Sequence, residues 1–96
     1  MTIIWSPGSQ HDLRHIHNFV AQENPAGAAR LVQRIVTAVE MQLAVFPLSG
    51  RPGRVEGTRE LVVVRAPYIV AYRIVEDDLE IAAIIHAARR WPDRVS

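Results

Sequence analysis

The chain has 96 residues, 49% of them hydrophobic, and it contains no cysteine. A chain of this length and hydrophobicity folds as one domain, residues 1–96, around one modest core, and it is not intrinsically disordered. Without cysteine it forms no disulfide and no thiolate metal site. No segment has the length of a membrane span or the pattern of a signal peptide, so we expect a cytoplasmic protein with no membrane partner.

The charge is nearly balanced, with a formal net charge of +1, and all 11 basic residues are arginine. So small a net charge argues against nonspecific nucleic-acid binding, and we expect no direct DNA binding by this chain alone. Arginine makes planar, forked contacts with carboxylates and phosphates. The absence of lysine is typical of a GC-rich genome, and it also leaves arginine at any surface that meets a partner.

The N-terminal half predicts a short strand followed by two helices. Residues 2–5 form the strand, Ser9-x-x-Asp12 resembles a helix-capping box, and apolar residues follow at helical spacing. Asn24 and Pro25 suit the N-cap and first position of a second helix, which runs to Pro47. So short a joint makes the two helices an antiparallel hairpin.

The C-terminal half predicts three further strands after a loop over residues 47–58. They end at Val64 and cover residues 68–75 and 79–86. If Asp77 and Asp78 form a two-residue hairpin loop, the last two strands pair with Ile74 opposite Ile81. A slip of one residue would mix polar and apolar side chains on each face, so this register is favoured.

The element order β-α-α-β-β-β predicts an α+β fold, an antiparallel sheet with the helical hairpin packed on one face. The first strand is expected to run antiparallel to the second and fourth. Two helices cover one face only, so we expect the reverse face to stay open and partly apolar. Such a surface typically marks an interaction site. The alternative is a lightly apolar face in contact with solvent.

Few residues suggest catalysis or metal binding. His11 and His15 have the i, i+4 spacing of a metal pair, but no third ligand has a matching offset, so we expect no metal. No serine has the glycine pattern of a nucleophile elbow, and the glycines near Gly50 do not form a phosphate loop. We therefore expect no cofactor.

The arginines of the C-terminal half separate into two groups at opposite ends of the predicted sheet. One group precedes the second strand and the other follows the second and fourth strands. The alternative for each is a surface salt bridge, with Glu56 and Glu60 nearby, and such pairs contribute little. The two groups are Arg51, Arg54 and Arg59, and Arg65 and Arg89.

His86 ends the fourth strand, and the predicted register places it on the same face as Arg73. Histidine titrates near neutral pH, so His86 is a candidate general acid or base, although a structural hydrogen-bonding role suits the position as well. Trp91 is expected to pack the C-terminal tail against the domain.

Taken together, short motifs along nearly the whole chain resemble the ParE toxins of the RelE/ParE superfamily. Each motif alone is weak, but their order and separation are fairly specific. They are Trp5-Ser6-Pro7, Asn24-Pro25-x-x-Ala28-Ala29, Gly57-Thr58-Arg59-Glu60-Leu61, Tyr68-Ile69-Val70-Ala71-Tyr72-Arg73 and His86-x-x-Arg89-x-Trp91.

The resemblance implies the toxin of a type II toxin–antitoxin system, of the kind associated with plasmid stabilisation. It implies DNA gyrase as the target and no catalytic residue in the toxin. It also implies a cognate antitoxin, of the ribbon-helix-helix, ParD-like type, with a C-terminal segment that folds along the toxin. The reverse face would receive that segment through Ile69, Ala71, Arg73, Val75, Ala82 and Ile84. Candidate target-binding residues are Arg51, Arg59, Arg89 and Trp91.

The alternative within the superfamily is the RelE-like, ribosome-dependent mRNA endoribonuclease. Such cleavage needs a base for the 2′-hydroxyl, cationic support for the phosphate and an acid for the leaving group. Related sites commonly use lysine, arginine and a C-terminal tyrosine or histidine, and this chain has no lysine and no tyrosine after Tyr72. Arg65, His86 and Arg90 would have to supply these groups, so whether the chain is an enzyme stays open.

Overall fold

A computed structural model of the protein describes residues 1–88. Two helices pack on one face of a five-stranded sheet whose strand order is β1-β5-β4-β3-β2. All neighbouring strands are antiparallel except β1 and β5, which are parallel. The elements are β1 Thr2–Trp5, α1 Pro7–Ala21, α2 Pro25–Ala38, a π-helical turn Val39–Leu43, β2 Arg51–Pro52, β3 Arg59–Val62, β4 Tyr68–Val75 and β5 Asp78–His86.

Helix α1 begins earlier than the capping motif predicted. Ser6 is its N-cap, and its side-chain oxygen accepts a hydrogen bond from the backbone N–H of Ser9. Pro7 follows at the start of the helix, where its missing N–H costs nothing. The predicted box of Ser9 and Asp12 is wrong, because Ser9 is buried and Asp12 bonds to β5 instead.

Helix α2 begins where the sequence predicts. The side chain of Asn24 accepts a hydrogen bond from the N–H of Gly27, and Pro25 starts the helix. Ala28 and Ile35 are buried on its inner face. The helix then widens into the π-helical turn, which keeps Val39 and Leu43 fully buried. Within residues 1–88, no helix combines the length and apolarity that crossing a bilayer requires.

The parallel pairing of β1 with β5 corrects the antiparallel arrangement that we expected. The prediction assumed that the helical hairpin returns the chain to the side that the first strand left. Instead α1 continues in the direction of β1 over the second half of β5, where Asp12 bonds to the backbone of Ile84. The helical hairpin therefore returns the chain to the end of the sheet at which β1 begins. Each later strand runs in the direction opposite to the one that we expected.

The register of β4 and β5 also differs from the prediction. Glu76 adopts a positive φ of 56° in the turn, and Ile74 pairs with Leu79 instead of Ile81. Farther from the turn a β-bulge leaves Ala82 without a paired residue. Beyond the bulge, the register differs by one residue from the predicted one. The β5 side chains after Ala82 therefore lie on the faces opposite to those that the sequence predicted.

The bulge moves two of the predicted site residues to the helix-covered face. Ile84 pairs with Val70 and belongs to the main core, so its placement on the reverse face was wrong. His86 pairs with Tyr68 on this same face, opposite to Arg73. The main core consists of Ile16, Ile35, Val39, Leu43, Leu61, Val63, Val70, Tyr72, Leu79, Ile81 and Ile84.

Candidate functional site

The middle of the reverse face of the sheet is buried, which contradicts the open face that the sequence predicted. Ala71 is 0% exposed, Ala82 1% and Ile69 3%. Val55, from the loop between β2 and β3, packs against the cluster of Ala71, Ala82 and Ile85. The expectation failed because the loop was treated only as a connection, whereas it folds back over the sheet.

A buried carboxylate holds this loop in place. Glu60 lies on the reverse face of β3 opposite Ala71, and it is 2% exposed. Its Oε1 accepts hydrogen bonds from Nε and Nη2 of Arg51 at 3.1 and 3.0 Å, and its Oε2 accepts one from the backbone N–H of Arg54 at 2.7 Å. Charge-assisted bonds of this kind are stronger than neutral ones. The sequence offered Glu60 only as one of two surface salt-bridge partners.

Two further residues anchor the segment that leads into β2. The buried hydroxyl of Tyr72 donates a hydrogen bond to the carbonyl of Pro47 at 2.8 Å and accepts one from the N–H of Gly50 at 2.9 Å. Burial raises the pKa of the Tyr72 hydroxyl above its ordinary value of 10.0. Arg59 donates to the carbonyl of Gly50 at 2.9 Å.

Of the first predicted arginine group, Arg51 and Arg54 both bond to Glu60, whereas Arg59 bonds to the carbonyl of Gly50, so the structure gives all three a structural role. The side chains of Arg51 and Arg54 remain about half exposed, at 51% and 50%. Arg65 lies at the other end of the sheet, as expected, with a positive φ of 62° and its carbonyl bonded to Nη1 of Arg34. Arg89, Arg90 and Trp91 lie outside the described residues.

Of the six predicted antitoxin-binding residues, two remain accessible in the folded chain. Arg73 pairs with Glu80 at 2.8 Å across β4 and β5, and Val75 is 49% exposed at the end of β4. The other four, Ile69, Ala71, Ala82 and Ile84, are buried.

A cleft of about 250 Å³ opens between α1 and the end of the sheet that carries Tyr68 and His86. His86 contacts Tyr68 edge-on, with ring centroids 5.2 Å apart, and its Nδ1 accepts a hydrogen bond from the N–H of Ala88 at 3.1 Å. Asp12 and His15 line the same cleft from α1. His11 and His15 stack at 6.5 Å, but in residues 1–88 no three His, Cys, Asp or Glu side chains converge on a metal position.

A second accessible feature is the edge of β3, which the sequence analysis did not single out. Val62 and Val64 are 50% and 73% exposed, and together with Val63 they line a groove of about 470 Å³ beside α2. Arg30 and Arg34 line the groove from the helix. Four apolar residues in succession without proline or charge, Leu61 to Val64, were the signal of an unprotected edge.

Comparisons with known proteins match the chain to bacterial toxins. The sequence model described as the ParE toxin of the type II toxin–antitoxin system, parDE, matches residues 3–91. Y4kP of Sinorhizobium fredii, which carries a toxin designation, is 46% identical over 90 residues, covering 94% of this chain and 92% of the relative. Toxin RelE2 of Caulobacter vibrioides is 36% identical over 87 residues, covering 91% of this chain and 96% of the relative.

A solved structure extends the agreement to the fold. The chromosomal ParDE toxin–antitoxin system from P. aeruginosa contains a chain that superposes with a TM-score of 0.81 at 28% sequence identity. The match covers 90% of this chain and 95% of that one. This protein therefore belongs to the ParE toxin family of type II toxin–antitoxin systems.

Proposed function

We propose that this toxin inhibits DNA gyrase and that a cognate, ParD-like antitoxin neutralises it. The observation that carries the proposal is the match of the ParE family along residues 3–91, which includes the C-terminal motif His86-x-x-Arg89-x-Trp91. In this reading the toxin binds its target and catalyses nothing, and it requires neither cofactor nor metal.

The proposed target contacts are Arg51, Arg59, Arg89 and Trp91. Arg51 is the strongest of these candidates, because Glu60 holds its guanidinium in place while about half of its side chain stays exposed. A fixed arginine loses less conformational freedom on binding than a free one, which favours contact with a carboxylate of the target. Arg59 is held more firmly by the carbonyl of Gly50, so its contribution is expected to be smaller.

Supercoiling of relaxed plasmid by purified gyrase tests the proposal. The wild-type chain is expected to inhibit supercoiling in a dose-dependent manner. Arg51→Ala is expected to inhibit less, whereas Arg14→Ala, a change of an exposed arginine on α1, is expected to inhibit as the wild type does. No inhibition by the folded wild-type chain would reject gyrase as the target.

Cleavage of mRNA on the ribosome is the second candidate, and one observation favours it. Arg65 and His86 lie at the same end of the sheet, since Val63 bonds to Tyr68 and Tyr68 pairs with His86. Primer extension on a translated message tests this candidate. Cleavage that His86→Ala abolishes would support the nuclease, and intact messages during growth arrest would reject it.

The antitoxin is proposed to contact Arg73 and Val75, the accessible members of the predicted set. Arg73 already pairs with Glu80, so an antitoxin carboxylate there would join an existing ion pair. Ile69, Ala71, Ala82 and Ile84 could contact an antitoxin only after the covering groups move. Because these four residues are buried, we expect most of the antitoxin interface to lie elsewhere on the toxin.

A further inference from the structure

Large apolar side chains are exposed in and just after the π-helical turn that follows α2. Met41, Val45, Phe46 and Leu48 are 70%, 63%, 64% and 64% exposed, and we call them the π-turn patch. Met41 and Val45 lie about one helical turn apart, and Phe46 and Leu48 follow directly along the chain. Single exposed apolar residues are ordinary in a folded protein, whereas a group of them typically marks an interaction site.

Hydrogen bonds to the sheet hold the backbone of the π-turn patch in place. The hydroxyl of Tyr72, on β4, donates to the carbonyl of Pro47 at 2.8 Å. Nη1 of Arg59, on β3, donates to the carbonyl of Leu48 at 3.4 Å and to that of Gly50 at 2.9 Å. Because the exposed side chains are carried by a backbone that is already fixed, a partner that binds them orders little additional chain.

The residue types in and beside the π-turn patch are those of protein–protein interfaces. The buried centres of such interfaces are enriched in aromatic residues, methionine and arginine, and they are depleted of acidic residues. Phe46 and Met41 supply the aromatic ring and the methionine, and Arg51, about half exposed, follows the patch along the chain. Arg59 bonds to the backbone of the patch itself. Glu40, an exposed carboxylate in the π-helical turn, is the acidic residue nearest to the patch in the sequence.

These features define the chemistry of a matching partner. Exposed Phe46 and Leu48 fit an apolar surface or a shallow apolar pocket, and a carboxylate at its rim would complement the guanidinium of Arg51. Nucleic acid fits poorly, because its phosphates would lie against apolar side chains. The matching partner is therefore a protein whose docking surface combines apolar residues with an acidic rim.

We propose that the π-turn patch is the surface through which this toxin docks on its target protein, with Phe46 and Leu48 as apolar anchors and Arg51 paired with a carboxylate at the rim of the same contact. This inference rests on the proposed function, in which the target is DNA gyrase and Arg51 is one of the target contacts. The patch adjoins Arg51 and Arg59 in the chain, so it supplies the apolar centre that these arginine contacts lack.

Phe46 and Phe19 provide a matched pair of variants. Their side chains are 64% and 65% exposed, but Phe19 lies in the last turn of α1, at the joint of the helical hairpin, whereas Phe46 follows its far end. Phe46→Ser is expected to raise the toxin concentration that half-inhibits gyrase supercoiling by about tenfold or more. Phe19→Ser is expected to inhibit as the wild type does. Equal inhibition by the two variants, both folded by circular dichroism, would overturn the inference.

Growth arrest on induction separates failure of this inference from failure of the proposed function. A wild-type chain that arrests growth without inhibiting gyrase would reject gyrase as the target. The π-turn patch would still be the docking surface if Phe46→Ser loses the arrest while Phe19→Ser keeps it at equal protein levels. Arrest by both variants would overturn the inference, and a wild-type chain with neither effect would overturn the inference and the proposed function together.

Two other occupants of the π-turn patch would give different results. If the antitoxin covers the patch instead, Phe46→Ser weakens antitoxin binding in calorimetry but inhibits gyrase as the wild type does. If a second copy of the toxin covers it, the wild type forms a dimer in analytical ultracentrifugation that Phe46→Ser does not form, again with unchanged inhibition. Either result would overturn the inference.

Discussion

Asp12 in the first helix and Ile84 in the last strand are joined by a hydrogen bond of 2.9 Å from the backbone N–H of Ile84 to Oδ2 of Asp12. β1 pairs with β5 only as far as Ile81, and among residues 1–88 no strand lies beside the next part of that edge. Ser6 donates to the carbonyl of Ala82, and Asp12 accepts from Ile84. The start of α1 thus replaces the missing strand with side-chain hydrogen bonds.

Replacing Asp12 with alanine is expected to lower the free energy of unfolding by about 1–3 kcal/mol, because the N–H of Ile84 loses a charged acceptor. Urea denaturation measures the change. Asp12→Asn keeps an acceptor of similar shape and is expected to lose less than Asp12→Ala. Equal losses in the two variants would show that the bond to Ile84 is not what Asp12 contributes.

Replacing Glu60 with glutamine is expected to cost about 1–3 kcal/mol of stability, because both Arg51 and the backbone N–H of Arg54 lose an ionised acceptor. The half-exposed arginines remain in contact with water, so the loss stays below that of a fully buried broken pair. Glu56→Gln, at an exposed position of the same loop, serves as the control and is expected to change stability by less than about 0.5 kcal/mol.

Tyr72 is expected to make the fold sensitive to alkaline pH. Burial raises the pKa of its hydroxyl in the folded state above 10.0, so the folded chain holds the proton at a pH where the unfolded chain releases it. The stabilisation is complete below pH 10.0 and is lost as pH rises through the higher folded pKa. Chemical denaturation across this alkaline range should show declining stability.

Tyr72→Phe is expected to remove that part of the alkaline decline, and Tyr68→Phe is expected to retain it. At neutral pH Tyr72→Phe should also cost about 1–3 kcal/mol, because the N–H of Gly50 loses its partner. An alkaline decline identical in the wild type and Tyr72→Phe would assign the pH effect to another group.

Because of the bulge at Ala82, we expect different losses of stability at Ile84 and Val75, two residues that the sequence analysis placed on the same face. Ile84→Ala removes a core side chain and is expected to cost about 2–5 kcal/mol. Val75→Ala, at a position 49% exposed, is expected to cost less than about 1 kcal/mol. Similar, small costs at both positions would favour the register without a bulge.

Local signals in the sequence predicted local structure well. Asn24 and Pro25 start α2 as expected, the helices and the main strands occur in the predicted order, and Arg51 and Arg54 bond to Glu60, one of the two carboxylates that the sequence offered them. These features depend on capping chemistry, hydrophobic spacing and chain order.

The errors concern contacts that no local pattern encodes. A bulge at Ala82 has no signal in a run of small and β-branched residues, yet it moves Ile84 and His86 to the other face. The direction of α1 depends on its bond from Asp12 to Ile84, which lie 72 positions apart in the chain. The cover over the reverse face depends on Glu60 drawing the loop back over the sheet.

Growth of a bacterial host tests the central claim most directly. We predict that inducing this chain alone arrests growth, and that co-inducing the protein of the neighbouring reading frame restores it. Immunodetection must confirm equal toxin levels in both cultures. Normal growth with abundant, folded toxin and no partner would contradict a toxin that an antitoxin neutralises.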